Sequence, residues 1–225
     1  MPLFTLKSTI MYHFKYLLAL SLCAGFTTHE VTSYTGRAAT PAPPAKEKTS
    51  WIVQKSSSLS INGRTNISHF SCAVAQYSEP DTITFLNEGC RGKPGGIPLC
   101  GVLKINISDF DCRNRMMTGE FKKTLQYKQF PQLKVIFLNL ERMPGFGPQS
   151  ETLKGQVFIE LAGISKQFEM DYTSSREDPE TVRLTGSRQL CFSDFGLLPP
   201  QKMGGLVRVN ETLDVKFMLC LRRLE

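Results

Sequence analysis

LKGQVFIELAGISKQFEMDY, residues 153–172, is the stretch on which the fold turns. Apolar side chains alternate through Val157, Ile159 and Leu161, and again through Phe168, Met170 and Tyr172. Between the two runs stands AGIS, residues 162–165. A period of two marks a strand with one buried face, and a short Gly-containing break between two such runs marks a tight hairpin. Downstream, residues 181–192 and 209–222 continue the pattern, the last as VNETLDVKFMLCLRR. Upstream, residues 133–140 (within FPQLKVIF and beyond) and 101–107 (GVLKINI) do the same. The set opens at Trp51 with WIVQKSSSLSINGRTNISHFSC, read as strands over 51–58 and 64–76 joined through Asn62 and Gly63, a strong turn signal.

One segment breaks the period. Residues 108–111 (SDFD) offer helix-capping groups, and residues 113–127 carry Met116, Met117, Phe121 and Leu125 on one helical face. Pro131 closes that element. The sequence therefore predicts a mainly β chain, eight antiparallel strands with one helix inserted between strands three and four. Eight such strands close naturally into a barrel that can hold one small ligand, although an open β-sandwich has the same periodicity. Residues 77–98, with Cys90, Gly92, Gly95 and Gly96, read as an irregular loop. So does SDFGLLPPQKMGG before the last strand, expected at the barrel mouth.

The first 25 residues hold Lys7 and Lys15, no acid, and an apolar run of about ten residues. That is the plan of a secretory signal, too short to span a bilayer as a mature helix. Translation could begin at Met1 or Met11, and Cys23 offers a lipid attachment point, though Leu22 before it is larger than a lipoprotein signal prefers. Residues 26–48 are rich in Thr, Ala and Pro and read as a solvated tether. The folded domain is assigned to 49–225.

The chain carries +7, of which the leader accounts for two charges. Lys and Arg are scattered among apolar residues, a solvated surface with no basic stripe for nucleic acid. Beyond Cys23 the cysteines are Cys72, Cys90, Cys100, Cys112, Cys191 and Cys220, an even number in a chain read as exported, so disulfides are expected. Strand direction puts Cys112 and Cys191 at one barrel end and Cys90, Cys100 and Cys220 at the other. The expected bridge is Cys112–Cys191, with Cys220 joined to one of the remaining three. A Cys191–Cys220 bridge is disfavoured, because Cys191 would face a residue near Thr212 in that hairpin. No CxxC is present and only His69 lies near a Cys, so no metal site is expected.

Alternation proposes the residues that face the barrel interior. They are Leu133, Val135 and Phe137; Val157, Ile159 and Leu161; Phe168, Met170 and Tyr172; and Leu213, Val215, Phe217 and Leu219. These rows would either surround an apolar ligand or fill the barrel as a core. His69 is the one His inside the domain, and no nucleophile elbow, phosphate loop or HExxH occurs, so no enzyme activity and no cofactor are expected. The Asn-x-Ser/Thr sequons at Asn66, Asn106 and Asn210 would be glycan sites in a eukaryotic secreted protein and chance in a bacterial one.

Taken in order, Trp51, then Thr65 with Asn66, FPQLKVIF (130–137), LKGQV (153–157), GISK (163–166) and DFGL (194–197) resemble the YceI-like family over residues 51–222. The resemblance implies an extended lipocalin-like barrel, exported to the periplasm or cell envelope, whose lumen holds a long polyisoprenoid for storage, transport or protection. Six domain cysteines and a longer 77–100 loop depart from the family pattern. With a filled lumen, the same barrel would instead be an envelope module that binds a protein partner.

Overall fold

The structure, a computed structural model, describes residues 48–86, 96–147 and 149–224. The expected leader, the Cys23 anchor, the choice of start and nearly all of the tether lie outside the described residues, as does Cys90. Twelve strands follow in order: β1 (Lys48–Val53), β2 (Ser58–Arg64), β3 (His69–Val74), β4 (Thr82–Leu86), β5 (Ile97–Asn106), β6 (Gln132–Leu140), β7 (Glu151–Leu161), β8 (Ile164–Arg176), β9 (Thr181–Cys191), β10 (Gln201–Lys202), β11 (Val207–Arg208) and β12 (Thr212–Arg223). The one α-helix among the described residues, α1 (Arg115–Thr124), lies between β5 and β6.

Ten of these strands form one antiparallel sheet that closes on itself, because β12 pairs with β9 on one side and with both β1 and β2 on the other. β1 and β2 lie end to end along β12, with Val53 opposite Leu221 and Ser58 opposite Met218. β4 and β3 back them in the same way. Each pair is one barrel strand with a bend, so the ring has eight positions, as the periodicity predicts. The double pairing of β12 rules out the open sandwich.

Three local expectations are corrected. Asn62 and Gly63 do not turn; they sit inside β2 opposite Ser71 and Phe70, and the chain reverses at residues 65–68. There Thr65 Oγ1 accepts from the Ile67 and Ser68 N–H groups at 3.2 and 2.9 Å. Gly63 is needed for space: a Cβ on it would lie 2.2 Å from the Phe70 ring. Within the 77–98 loop a strand is present, β4, whose Ile83 and Phe85 are buried, and β5 begins before Gly101 at Ile97. The helix is capped by Asn114, whose Oδ1 accepts from Met117 N at 3.0 Å, and not by the SDFD residues.

The Cys112–Cys191 bridge is also corrected. Cys112 is bonded to Cys72, while Cys191 and Cys220 are free thiols. Past β5 the chain runs back along β3, where Ala73 and Asp111 exchange both backbone hydrogen bonds at 2.9 Å. That register sets position 72 directly across from 112. Cys191 does stand opposite Thr212, as expected, and far from Cys220.

The two barrel halves differ. α1, the 192–195 turn and the start of β12 mark one end, here the helix end. The opposite half is solid. Trp51 is fully buried there, stacked on Phe146 at 5.4 Å and tilted against Phe85 at 5.5 Å, with Leu140, Leu153, Val182 and Leu221 equally inaccessible.

Candidate functional site

The helix-end half of the barrel encloses a cavity of about 100 Å3. Alternation aims β6, β7, β8 and β12 side chains into it. Leu133, Val135 and Phe137, then Val157, Ile159 and Leu161, then Met170 and Tyr172, and finally Leu213, Val215, Phe217 and Leu219 all line this space. Their outward neighbours are mixed: Lys134 pairs with Glu160 at 2.8 Å, while Ile136 stands opposite Phe158. Phe168 is the exception among the expected residues. It is buried, but it packs against Phe195 (6.1 Å) at the cavity edge and does not line the space.

The sequence reading missed several walls of the cavity. Leu59 and Ile61 of β2 and Leu103 and Ile105 of β5 complete the ring. Phe121 of α1 and Leu125, its C-cap, close the helix end, together with Phe192, Phe195 and Leu197. Phe121 and Leu125 share the expected helical face, and the strand residues alternate cleanly, so the signal is present in the sequence. Polar groups are few: Ser57, Ser58 and Tyr77 at the β1–β2 bend, and Arg188 and Cys191 on β9. Tyr77 donates its hydroxyl proton to Asp81, and Lys104 N–H donates to both partners, at 3.0 and 2.9 Å. Burial, reinforced by that carboxylate, pushes the Tyr77 hydroxyl pKa up, so it stays protonated.

An aromatic belt separates the cavity from the solid half. Phe217 meets Tyr172 edge-on at 5.5 Å, and its ring lies over Gly186 of β9. A Cβ at Gly186 would approach that ring to 2.2 Å. Gly186→Ala is expected to drive Phe217 off its site and to cost about 1–3 kcal/mol, the usual range for overpacking. A urea midpoint equal to wild type would show that the belt is not tightly packed.

The two short motifs at the helix end meet in space. Lys166, of GISK, is ion-paired with Asp194, of DFGL. Asp194 also accepts from Cys191 N–H at 2.8 Å, so it holds the β9 exit turn while Gly196, left-handed at φ 62°, lets the chain leave. Burial opposes ionisation of Asp194, yet the Lys166 hydrogen bond, the Cys191 N–H and the Lys166 and Arg188 charges hold its carboxyl below the usual range. Across the mouth runs the β10–β11 hairpin, tied to α1 by Lys202–Glu120 (2.7 Å) and to the β2–β3 turn by Asn66, which donates to Leu206 O (2.8 Å) and accepts from Arg208 N (3.0 Å).

His69 is exposed at the start of β3. Among the described residues no cluster of three His, Cys, Asp or Glu could hold a metal, and no helix is long and apolar enough to cross a membrane.

No family model and no curated protein sequence matches the chain. Solved structures do. A polyisoprenoid binding domain from Saccharophagus degradans, implicated in plant cell wall breakdown, matches with a TM-score of 0.57 at 9% identity, over 78% of this chain and 99% of that one. Burkholderia cenocepacia BcnA matches with a TM-score of 0.53 at 15% identity, over 73% and 95%. At such identities the likeness is one of fold: the chain shares the barrel architecture of these two proteins.

Proposed function

We propose that this chain is an exported carrier that holds a long apolar lipid of the polyisoprenoid type in the helix-end half of its barrel. The observation that carries the reading is the cavity itself, an apolar space reached by side chains from eight strands and one helix. The neighbour described as a polyisoprenoid binding domain supports the ligand class. Export is supported by the basic, apolar leader and by the Cys72–Cys112 disulfide, a bond at home in oxidising compartments.

Magnitudes favour a long chain over a short one. Each buried methylene contributes about 0.8 kcal/mol, so a fifteen-carbon tail offers roughly 10 kcal/mol before costs. Association and ordering take back about 4–15 kcal/mol. A short tail only breaks even. The cavity is smaller than the ~150 Å3 void that admits benzene, so a longer tail requires half-buried residues such as Val135, Val215 and Phe217 to change rotamer. A second reading, a protein-interaction module with a filled barrel, draws its support from the solid half around Trp51.

Lipid extraction and mass spectrometry of the purified protein, followed by uptake of added polyprenols, separates the two. A stoichiometric isoprenoid or a saturable uptake is the expected result, with the thermal midpoint rising as ligand is added. A protein that yields no lipid and takes up no polyprenol would sink the carrier. Val135→Phe, which fills the lumen from β6, is expected to weaken polyprenol binding at least tenfold, about 1.4 kcal/mol. Unchanged affinity in that variant would move the ligand out of the barrel.

A further inference from the structure

The barrel wall is open at one place beside the cavity. β8 and β9 pair from Arg176↔Val182 to Asp171↔Ser187 and then part, although both strands continue. From there β8 is held by β7 alone and β9 by β12 alone. On the opposite flank, where β3 and β5 also diverge, the gap is sewn by the Ala73–Asp111 hydrogen bonds and the Cys72–Cys112 bond. No backbone bridge spans the β8–β9 parting among the described residues.

Side chains fill that parting in an ordered way. Phe168 lies at its base, and two cations flank the ring, Lys166 Nζ at 5.8 Å and the Arg188 guanidinium at 6.0 Å from its centre. Lys166 is neutralised by Asp194. Arg188 makes no ion pair among the described residues, although its charge acts on Asp194 from a distance. It occupies an inward register position on β9, between Gly186 and Leu190, and lines the cavity, yet it is exposed. Asp171 and Asp214 lie nearby on the outer face, but Asp214 accepts from Gln189 Nε2 at 2.9 Å, and neither acid pairs with Arg188. Among the described residues the guanidinium makes no hydrogen bond and no ion pair. A cation at an inward position, in the one register row otherwise kept apolar, stands where a chain in the lumen would end.

We propose that the β8–β9 parting receives the anionic head group of the bound lipid, a phosphate or carboxylate, with Arg188 as its anchor. The proposal rests on the lipid-carrier reading above and adds the head group to it. A guanidinium offers a planar fork of N–H donors that grips two oxygens of such a group at once, and it is less strongly hydrated than an ammonium. The tail would pass inward over Phe168 while the charge stays in water, so no ion need be buried.

The test titrates the full chain with octaprenyl phosphate, with octaprenol and with inorganic phosphate, by calorimetry. The expected result is that the phosphate ester binds at least tenfold more tightly than the alcohol, and that inorganic phosphate alone binds far more weakly than the ester. In Arg188→Gln the preference for the ester falls to within twofold of unity, and Arg188→Lys retains part of it. A wild-type protein with no preference, or a preference that survives Arg188→Gln, overturns the head-group assignment. Inorganic phosphate binding as tightly as the ester overturns it too, leaving a simple anion site. If neither prenyl compound binds, the carrier reading fails with it, an outcome distinct from loss of preference alone.

Discussion

Trp51→Ala is expected to lower stability by about 3–5 kcal/mol, the cost typical of removing a large aromatic from a core. Trp51 is fully buried, stacked on Phe146 and in contact with Phe85, and it pairs across β1 with Ile83 and Arg223. Its indole nitrogen finds no acceptor among the described residues, so packing alone accounts for its contribution. Nothing there can collapse to fill the void without parting β1 from both β4 and β12. Measured by thermal unfolding, the loss corresponds to roughly 10 °C or more for a domain of this size. Trp51→Phe keeps most of the ring contact and should recover a large part of the loss. A midpoint within about 2 °C of wild type for the alanine variant would mean that the solid half is not the foundation of the fold.

The second large effect belongs to the Cys72–Cys112 bond. The cysteines are 40 residues apart, and closing a loop of that size restricts the unfolded chain by about 4 kcal/mol in the chain-entropy account. The double variant Cys72→Ala, Cys112→Ala should therefore lose about 2–5 kcal/mol in urea, and wild type with reductant should approach it. The consequence is also local. Without the bond, β3 and the segment leading into α1 are joined by the Ala73–Asp111 pair alone, and α1 and its C-cap carry the Phe121 and Leu125 that close the cavity. On the carrier reading proposed above, lipid should then leave faster as well as the fold melting earlier. A reduced protein with an unchanged urea midpoint would show that the chain does not rely on this bond.

Much of this architecture was legible because alternation runs undisturbed where strands are long. Val157 to Leu161 and Phe168 to Tyr172 announce both the hairpin and its inner face, and the structure sets Leu161 opposite Ile164 across two turn residues. The β12 row was legible for the same reason. Bends were not, since a strand that kinks at residues 54–57 keeps its composition while changing its partners. β4 is only five residues long, between Pro80 and a Gly-rich stretch, so its Ile83 and Phe85 carried too little pattern. Gly63 misled because an Asn-Gly pair signals a turn through backbone freedom, whereas here the missing Cβ makes room for Phe70. The partner of Cys112 depended on a single bridge, Ala73 to Asp111, that no periodicity encodes. Arg188 could have been noticed earlier: it breaks an apolar row that includes Leu184 and Leu190, and a break in such a row asks for a reason.

The ring is sealed by β12, which joins β9 to β1 and β2 at once. It is also the last of the strands to leave the ribosome. Until it emerges, β9 and the β1–β2 strand each present an unpaired edge, and the apolar rows between them have no inside to face. Exposed edges of this kind invite pairing with other chains. The nascent barrel therefore needs to be kept apart from its neighbours until β12 has emerged, and a truncation that removes β12 should yield aggregate rather than a smaller barrel.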